Sequence, residues 1–156
     1  MSAHGIARTT EGERAAVRAS WAVLMKDYEH AGVQILDKFF KANPAAKPFF
    51  TKMKDLHTLE DLASSADARW HVERIIQAVN FAVINIEDRE KLSNKFVKLS
   101  QDHIEEFHVT DPQYFMILSQ TILDEVEKRN GGLSGEGKSG WHKVMTIICK
   151  MLKSKY

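Results

Sequence analysis

Apolar side chains recur along this chain every three or four positions, the interval that lines up one face of an α-helix. The first such face runs through Val17, Trp21, Leu24, Met25 and Tyr28. Thr10 opens it, with Glu13 three residues on, a pair in which hydroxyl and carboxylate can each satisfy an orphan backbone amide. A second helix carries Leu36, Phe39 and Phe40 and is predicted to stop near Asn43, because a residue before proline is pushed out of the helical region. Short turns are expected from Pro44 to about Leu62, with Phe49 and Phe50 conspicuous among them. A long helix from about Ser64 to Ile86 has a stripe of His71, Ile75, Ala78, Val79, Ala82 and Ile86. The next, from about Glu90 to Phe107, has Leu92, Phe96, Leu99, His103 and Phe107. Asp111-Pro112 reads as the cap and first turn of a further helix bearing Phe115, Leu118 and Ile122, and the run from Trp141 to Leu152 marks the last one. Two-residue alternation bounded by hairpin signals is absent, so the expected fold is all-α.

Composition reinforces that reading. There are three prolines, and no glycine lies between Gly32 and Gly131, which leaves long stretches free to stay helical. Glycine then returns at 131, 132, 135, 137 and 140, read as a loop between two late helices. A length of 156 residues suits one domain, placed at 10–156 behind a flexible tail at 1–9. Twenty-two basic residues against 21 acidic ones argue against a nucleic-acid binder selected by bulk charge. One cysteine excludes an internal disulfide or a Cys-rich metal site and fits a reducing cytoplasm, and no stretch resembles a signal peptide or a membrane span. A soluble, cytoplasmic protein is expected.

The unusual chemistry is the presence of a histidine on each of two successive apolar stripes. Imidazole loses hydration on burial and needs a hydrogen-bond partner or a metal to offset the loss. Either histidine alone reads as a core residue bonded to a backbone carbonyl. Together, 32 residues apart on successive helices, His71 and His103 can face one apolar space that would suit a flat cofactor whose iron takes imidazole as axial ligand. The remaining histidines are assigned to solvent. Glu105-x-x-His108 has di-iron spacing but no second copy, His-Glu-x-x-His is absent, and Cys149 sits among apolar residues as a small core side chain.

Over nearly its whole length the chain resembles a globin. Trp21, Asn43-Pro44 followed by Phe49-Phe50, the two histidines and Asp-Pro-Gln-Tyr-Phe at 111–115 occur in globin order and at near-globin spacing. The words Arg-Trp-His-Val-Glu-Arg-Ile-Ile at 69–76 and Lys-Ser-Lys-Tyr at 153–156 look most like cyclostome haemoglobins of the lamprey type, with cytoglobins next. The resemblance implies six to eight helices around non-covalent haem b, with His103 as the proximal iron ligand and His71 as the distal histidine. It further implies Phe50 wedged on the haem face, Leu36 and Ile75 shaping the distal pocket, and Leu99, Val109 and Leu118 lining the proximal side and floor. Lys52 falls near a propionate, and Tyr156 resembles a C-terminal tyrosine that ties the last helix to a carbonyl. Two departures are an extra Thr110 and a longer glycine-rich segment near 130–140.

Carriage of dioxygen, for transport or storage, is the function the resemblance implies first. The alternative is a cytoglobin-like haem enzyme acting as a nitric oxide dioxygenase or redox protein. His103 is expected to bond a carbonyl one turn back, near Leu99, which would orient its ring. Trp70 and Glu73 flank His71 but point away from the stripe, and the likeness to cyclostome globins implies a ligand- and pH-linked homodimer through that helix.

Overall fold

The computed structural model describes residues 8–105, 109 and 111–156. Phe107, His108, Thr110 and most of the expected tail therefore lie outside the described residues. Seven α-helices and two short 3-10 segments make up the described fold, with no strand among them.

Helix α1 (Glu11–Met25) begins as its sequence dictates. Thr10 Oγ1 accepts from the Glu13 amide at 3.1 Å, and Glu13 Oε1 accepts from the Thr10 amide at 2.8 Å. Its end differs from expectation. The chain breaks at Lys26 and Asp27, so Tyr28 opens α2 (Tyr28–Ala42) rather than closing α1. The segment to Met53 is carried by 3-10 turns at Pro44–Phe49 and Thr51–Met53, and α3 (Leu59–Ser64) is a short helix where only turns were expected. Thr58 starts it with Asp61, the same reciprocal cap used at Thr10.

Helices α4 (Ala66–Ile84), α5 (Arg89–Glu105), α6 (Gln113–Asn130) and α7 (Gly135–Lys153) complete the core. Asp111 Oδ1 accepts from the Gln113 amide at 2.9 Å at the start of α6, the service expected of that aspartate. The glycine-rich segment needs correction. Only 131–134 form the connection, and α7 begins at Gly135. Gly140 lies inside α7, where a Cβ would stand 2.8 Å from Val17 Cγ2 and 2.9 Å from the Glu13 carbonyl oxygen, so the absence of a side chain lets α1 and α7 approach closely.

Two indoles knit the core together. Trp21 donates from Nε1 to Asn80 Oδ1 at 3.0 Å, tying α1 to α4, and Trp141 donates to Ser20 Oγ at 2.8 Å, tying α7 to α1. Both rings are buried and meet edge to face at 5.9 Å. A buried carboxylate, Glu125, is held by Lys38 at 3.2 Å and Arg129 at 2.8 Å, which joins α6 to α2.

Helix α4 packs on α2 and α5 packs on α7, but α4 and α5 make no extended contact with each other among the described residues. They meet near their joint, where Phe81 and Phe96 stand 6.4 Å apart, and diverge from there. The result is a V whose open end carries His71 and His103.

Candidate functional site

The distal wall of the V is built on α4. Ser65 caps this helix by accepting from the Ala68 amide at 3.2 Å. Its buried side chains are Ala68, Val72, Ile76, Val79, Ala82 and Val83, which face the core. His71, Ile75 and Ala78 lie one position earlier around the helix, on a face that is only half-buried. Of the stripe read from sequence, Val79, Ala82 and Ile86 are buried in the core, while His71, Ile75 and Ala78 form its half-buried edge.

Gly32 fixes how close that wall stands to α2. A Cβ at position 32 would lie 2.1 Å from Val72 Cγ1, so glycine lets the two helices press together beside His71. The His71 ring is boxed by aromatics, with Phe50 at 5.1 Å and Trp70 at 4.9 Å, both edge to face. Phe50 rests in turn on Phe40 at 5.2 Å, and Leu36 is fully buried on α2. Lys52 is exposed and 4.0 Å from Asp67 at the start of α4. Burial pushes the His71 pKa below its ordinary value of 6.5; Lys52 and Arg74 add to this and Asp67 opposes it.

The proximal wall is α5. His103 Nδ1–H donates to the Leu99 carbonyl at 2.7 Å, the bond expected one helical turn back. Its ring stands edge-on to Phe115 at 5.0 Å. Burial lowers the His103 pKa as well, against the opposing influence of the Leu99 carbonyl and Asp102. Leu99 and Leu118 are half-buried. Val109 is half-buried too, and its amide donates to the His103 carbonyl at 2.9 Å. Tyr156 reaches this side through its ring, 5.8 Å from Phe115, and its hydroxyl has no carbonyl partner among the described residues. The turn in which the resemblance places the partner carbonyl lies largely outside the described residues.

Two positioning residues escaped the sequence reading. Ser100 is fully buried, donates its hydroxyl to the Leu152 carbonyl and accepts from the Lys155 amide at 3.3 Å, so it latches α5 to the end of α7. Phe115 was placed on an apolar stripe but not against His103. A serine on the stripe that carries Phe96 was the available signal for the first.

His30, His57 and His142 are exposed, as assigned; His4 and His108 lie outside the described residues. Cys149 is half-buried with its sulfur 3.1 Å from Ser119 Oγ, and burial raises its thiol pKa. Among the described residues no three His, Cys, Asp or Glu side chains converge to hold a metal ion. His71 and His103 would therefore act on a metal whose other donors come from a macrocycle. The residues present fit a haem in that role: two walls with half-buried apolar side chains, each bearing a neutral imidazole, one oriented by a carbonyl.

The fold is that of a globin, and the globin family model matches residues 33–152, so the chain belongs to the globin family. It is 45% identical to Globin-1 of Mordacia mordax and 44% identical to Globin-1 of Petromyzon marinus, in each case over 147 residues, 94% of this chain and 92% of the relative. Cytoglobin-1 of Oryzias latipes is 31% identical over 148 residues, covering 94% of this chain and 83% of its own length. Membership implies a haem cofactor and the binding of dioxygen and other diatomic ligands. No helix among the described residues is long and apolar enough to cross a membrane.

Proposed function

We propose that residues 10–156 form a reversible dioxygen carrier, for transport or storage, in which His103 holds haem b and His71 faces the bound gas. The observation that carries this reading is the His103 Nδ1–H bond to the Leu99 carbonyl. Haem, when bound, supplies the iron at which a diatomic ligand is held. The protein supplies the rest. With its proton committed at Nδ1, neutral His103 presents the lone pair of Nε2 as ligand atom, and the carbonyl raises its basicity. Neutral His71 keeps one N–H to donate toward a ligand that gathers negative charge. Such a bond is worth roughly 1.5–3 kcal/mol, about 10–100-fold in affinity, and favours dioxygen over carbon monoxide, which develops less charge. Leu36, Phe50 and Ile75 exclude water on the distal side, Leu99, Val109 and Leu118 line the proximal side and floor, and Lys52 offers a cation to a propionate. Purified His103→Gly is expected to lose most haem and to regain it with added imidazole; full retention without imidazole would refute the assignment.

The likeness to a cytoglobin supports a second reading, a haem enzyme that oxidises nitric oxide or serves another redox role. The absorption spectrum of the deoxy ferrous protein separates the two. A five-coordinate high-spin haem supports the carrier, and spontaneous ligation by His71 supports the enzyme.

We also propose a homodimer, linked to ligand and pH, through the outer face of α4. Trp70 is 47% exposed and Arg74 stacks on its ring at 4.3 Å, with Glu73 3.7 Å from Arg74. A reduced free thiol at Cys149 suits the cytoplasm, where we place the protein.

A further inference from the structure

The joint between α4 and α5 borders a cavity of about 340 Å³, closed by the chain before α1 and by the middle of α7. Ala82 lies eleven residues along α4 from His71, and Leu92 eleven residues back along α5 from His103, so this space is separate from the cleft that the histidines face. Its apolar lining is Ala82, Ile86, Leu92, Val144 and Ile147, all buried. Its charged lining is Arg8, Arg14, Arg89 and Lys143 against one carboxylate, Glu87.

Two of these cations are engaged. Arg14 pairs with Glu87 at 3.0 Å and donates to the Thr9 carbonyl at 2.6 Å. Lys143 pairs with Glu13 at 2.8 Å and donates to the Arg8 carbonyl at 3.3 Å. Arg8 and Arg89 remain with no carboxylate among the described residues. Arg89 Nη1 is buried with no hydrogen-bond partner there, and burial together with the Arg8 charge disfavours its cationic form. Two like charges and an unmet buried donor at the edge of one cavity form an arrangement that an anion would stabilise.

The apolar lining selects among anions. A bare phosphate would shed its hydration against five apolar side chains, whereas a carboxylate on a short alkyl chain meets both halves of the lining. A guanidinium offers paired N–H groups that match a carboxylate. The volume is at the small end for ligand pockets, which favours a short tail.

We propose that this cavity binds a small amphipathic carboxylate of the medium-chain fatty acid class, with its head between Arg8 and Arg89 and its tail on Ile86, Leu92 and Ile147. The proposal stands independently of the haem assignments. Isothermal titration calorimetry of octanoate into the haem-loaded protein tests it, with acetate and inorganic phosphate as comparison titrants and Arg8→Ala and Arg89→Gln as variants. Saturable one-to-one octanoate binding is expected, weakened at least tenfold by each substitution, with acetate and phosphate at least tenfold weaker and the haem absorption band unmoved. Absent octanoate binding, affinity unchanged in both variants, or phosphate binding as tightly as octanoate would each overturn it. Should Arg89→Gln fail to fold, Arg8→Ala still decides, because Arg8 is exposed and its guanidinium makes no hydrogen bond or ion pair among the described residues.

Discussion

Glu13 shows how one side chain can serve two purposes. It closes the cap of α1 and, from the same carboxylate, accepts from Lys143 at 2.8 Å and from Ser139 on α7. The Lys143 ammonium is the largest cause holding its pKa at about 2 rather than the ordinary 4.5, followed by Ser139 and the Thr10 amide. A depressed carboxylate pKa contributes stability that is fully present above the unfolded value and is lost as pH falls through the folded one. Wild-type protein is therefore expected to lose stability as pH drops from 4.5 toward 2, and Glu13→Gln to be less stable at neutral pH but flatter across that window. Denaturant melts at several pH values check this, and parallel curves for the two proteins would refute it.

At the scale of elements, the contact between α2 and α4 depends on Gly32 having no side chain. Gly32→Ala would drive a methyl group into Val72, and either the helices part or Val72 leaves its rotamer, at a cost of about 1–3 kcal/mol. Because Val72 adjoins His71, the same substitution is expected to change ligand release rates. Adding Val72→Ala should recover part of the loss attributable to the clash, which a double-mutant cycle measures. Additive losses would show that the helices do not meet there as described.

Helix identities were legible from apolar spacing, and misreadings occurred where local pattern and packing part company. Tyr28 continues the spacing of α1 although the chain has turned at Asp27, since a break shorter than one helical turn leaves the period intact. Helix α3, six residues long, is too short to show a period, yet Thr58-x-x-Asp61 carried the cap. Gly140 read as loop because its place in the helix is matched to Val17 and Glu13, more than a hundred residues away. The two histidines and the Leu99 carbonyl could be read from four-residue spacing. The Ser100 latch to Leu152 could not, because it joins positions 52 apart through a bond no local pattern encodes.

At the scale of the whole molecule, the outward face of α4 lies next to the distal wall, so a partner seated on Trp70 would be sensitive to any movement of His71. Deoxy protein is expected to sediment faster than its carbonmonoxy form, and faster at about pH 6 than at about pH 8, as the proposed linkage of the homodimer to ligand and pH requires. Trp70→Ala or Glu73→Gln should reduce both differences. A monomer in every state at high concentration would remove the dimer and leave the histidine assignments standing.

The V of α4 and α5 also behaves as a lever. Its fulcrum is the contact of Phe81 with Phe96, and its arms run ten residues to His71 and seven to His103, about 15 Å and 10 Å at the helical rise. A change of about 5° in the angle between the helices would displace His71 by about 1.3 Å relative to α5 or, described from the other arm, His103 by about 0.9 Å relative to α4. A shift that size is enough to make or break a hydrogen bond, while the same rotation hardly disturbs the packed rings at the fulcrum. Mechanical advantage in this fold thus runs from the corner outward, and small side-chain changes around Phe81 and Phe96 should be felt most by the imidazoles they never touch.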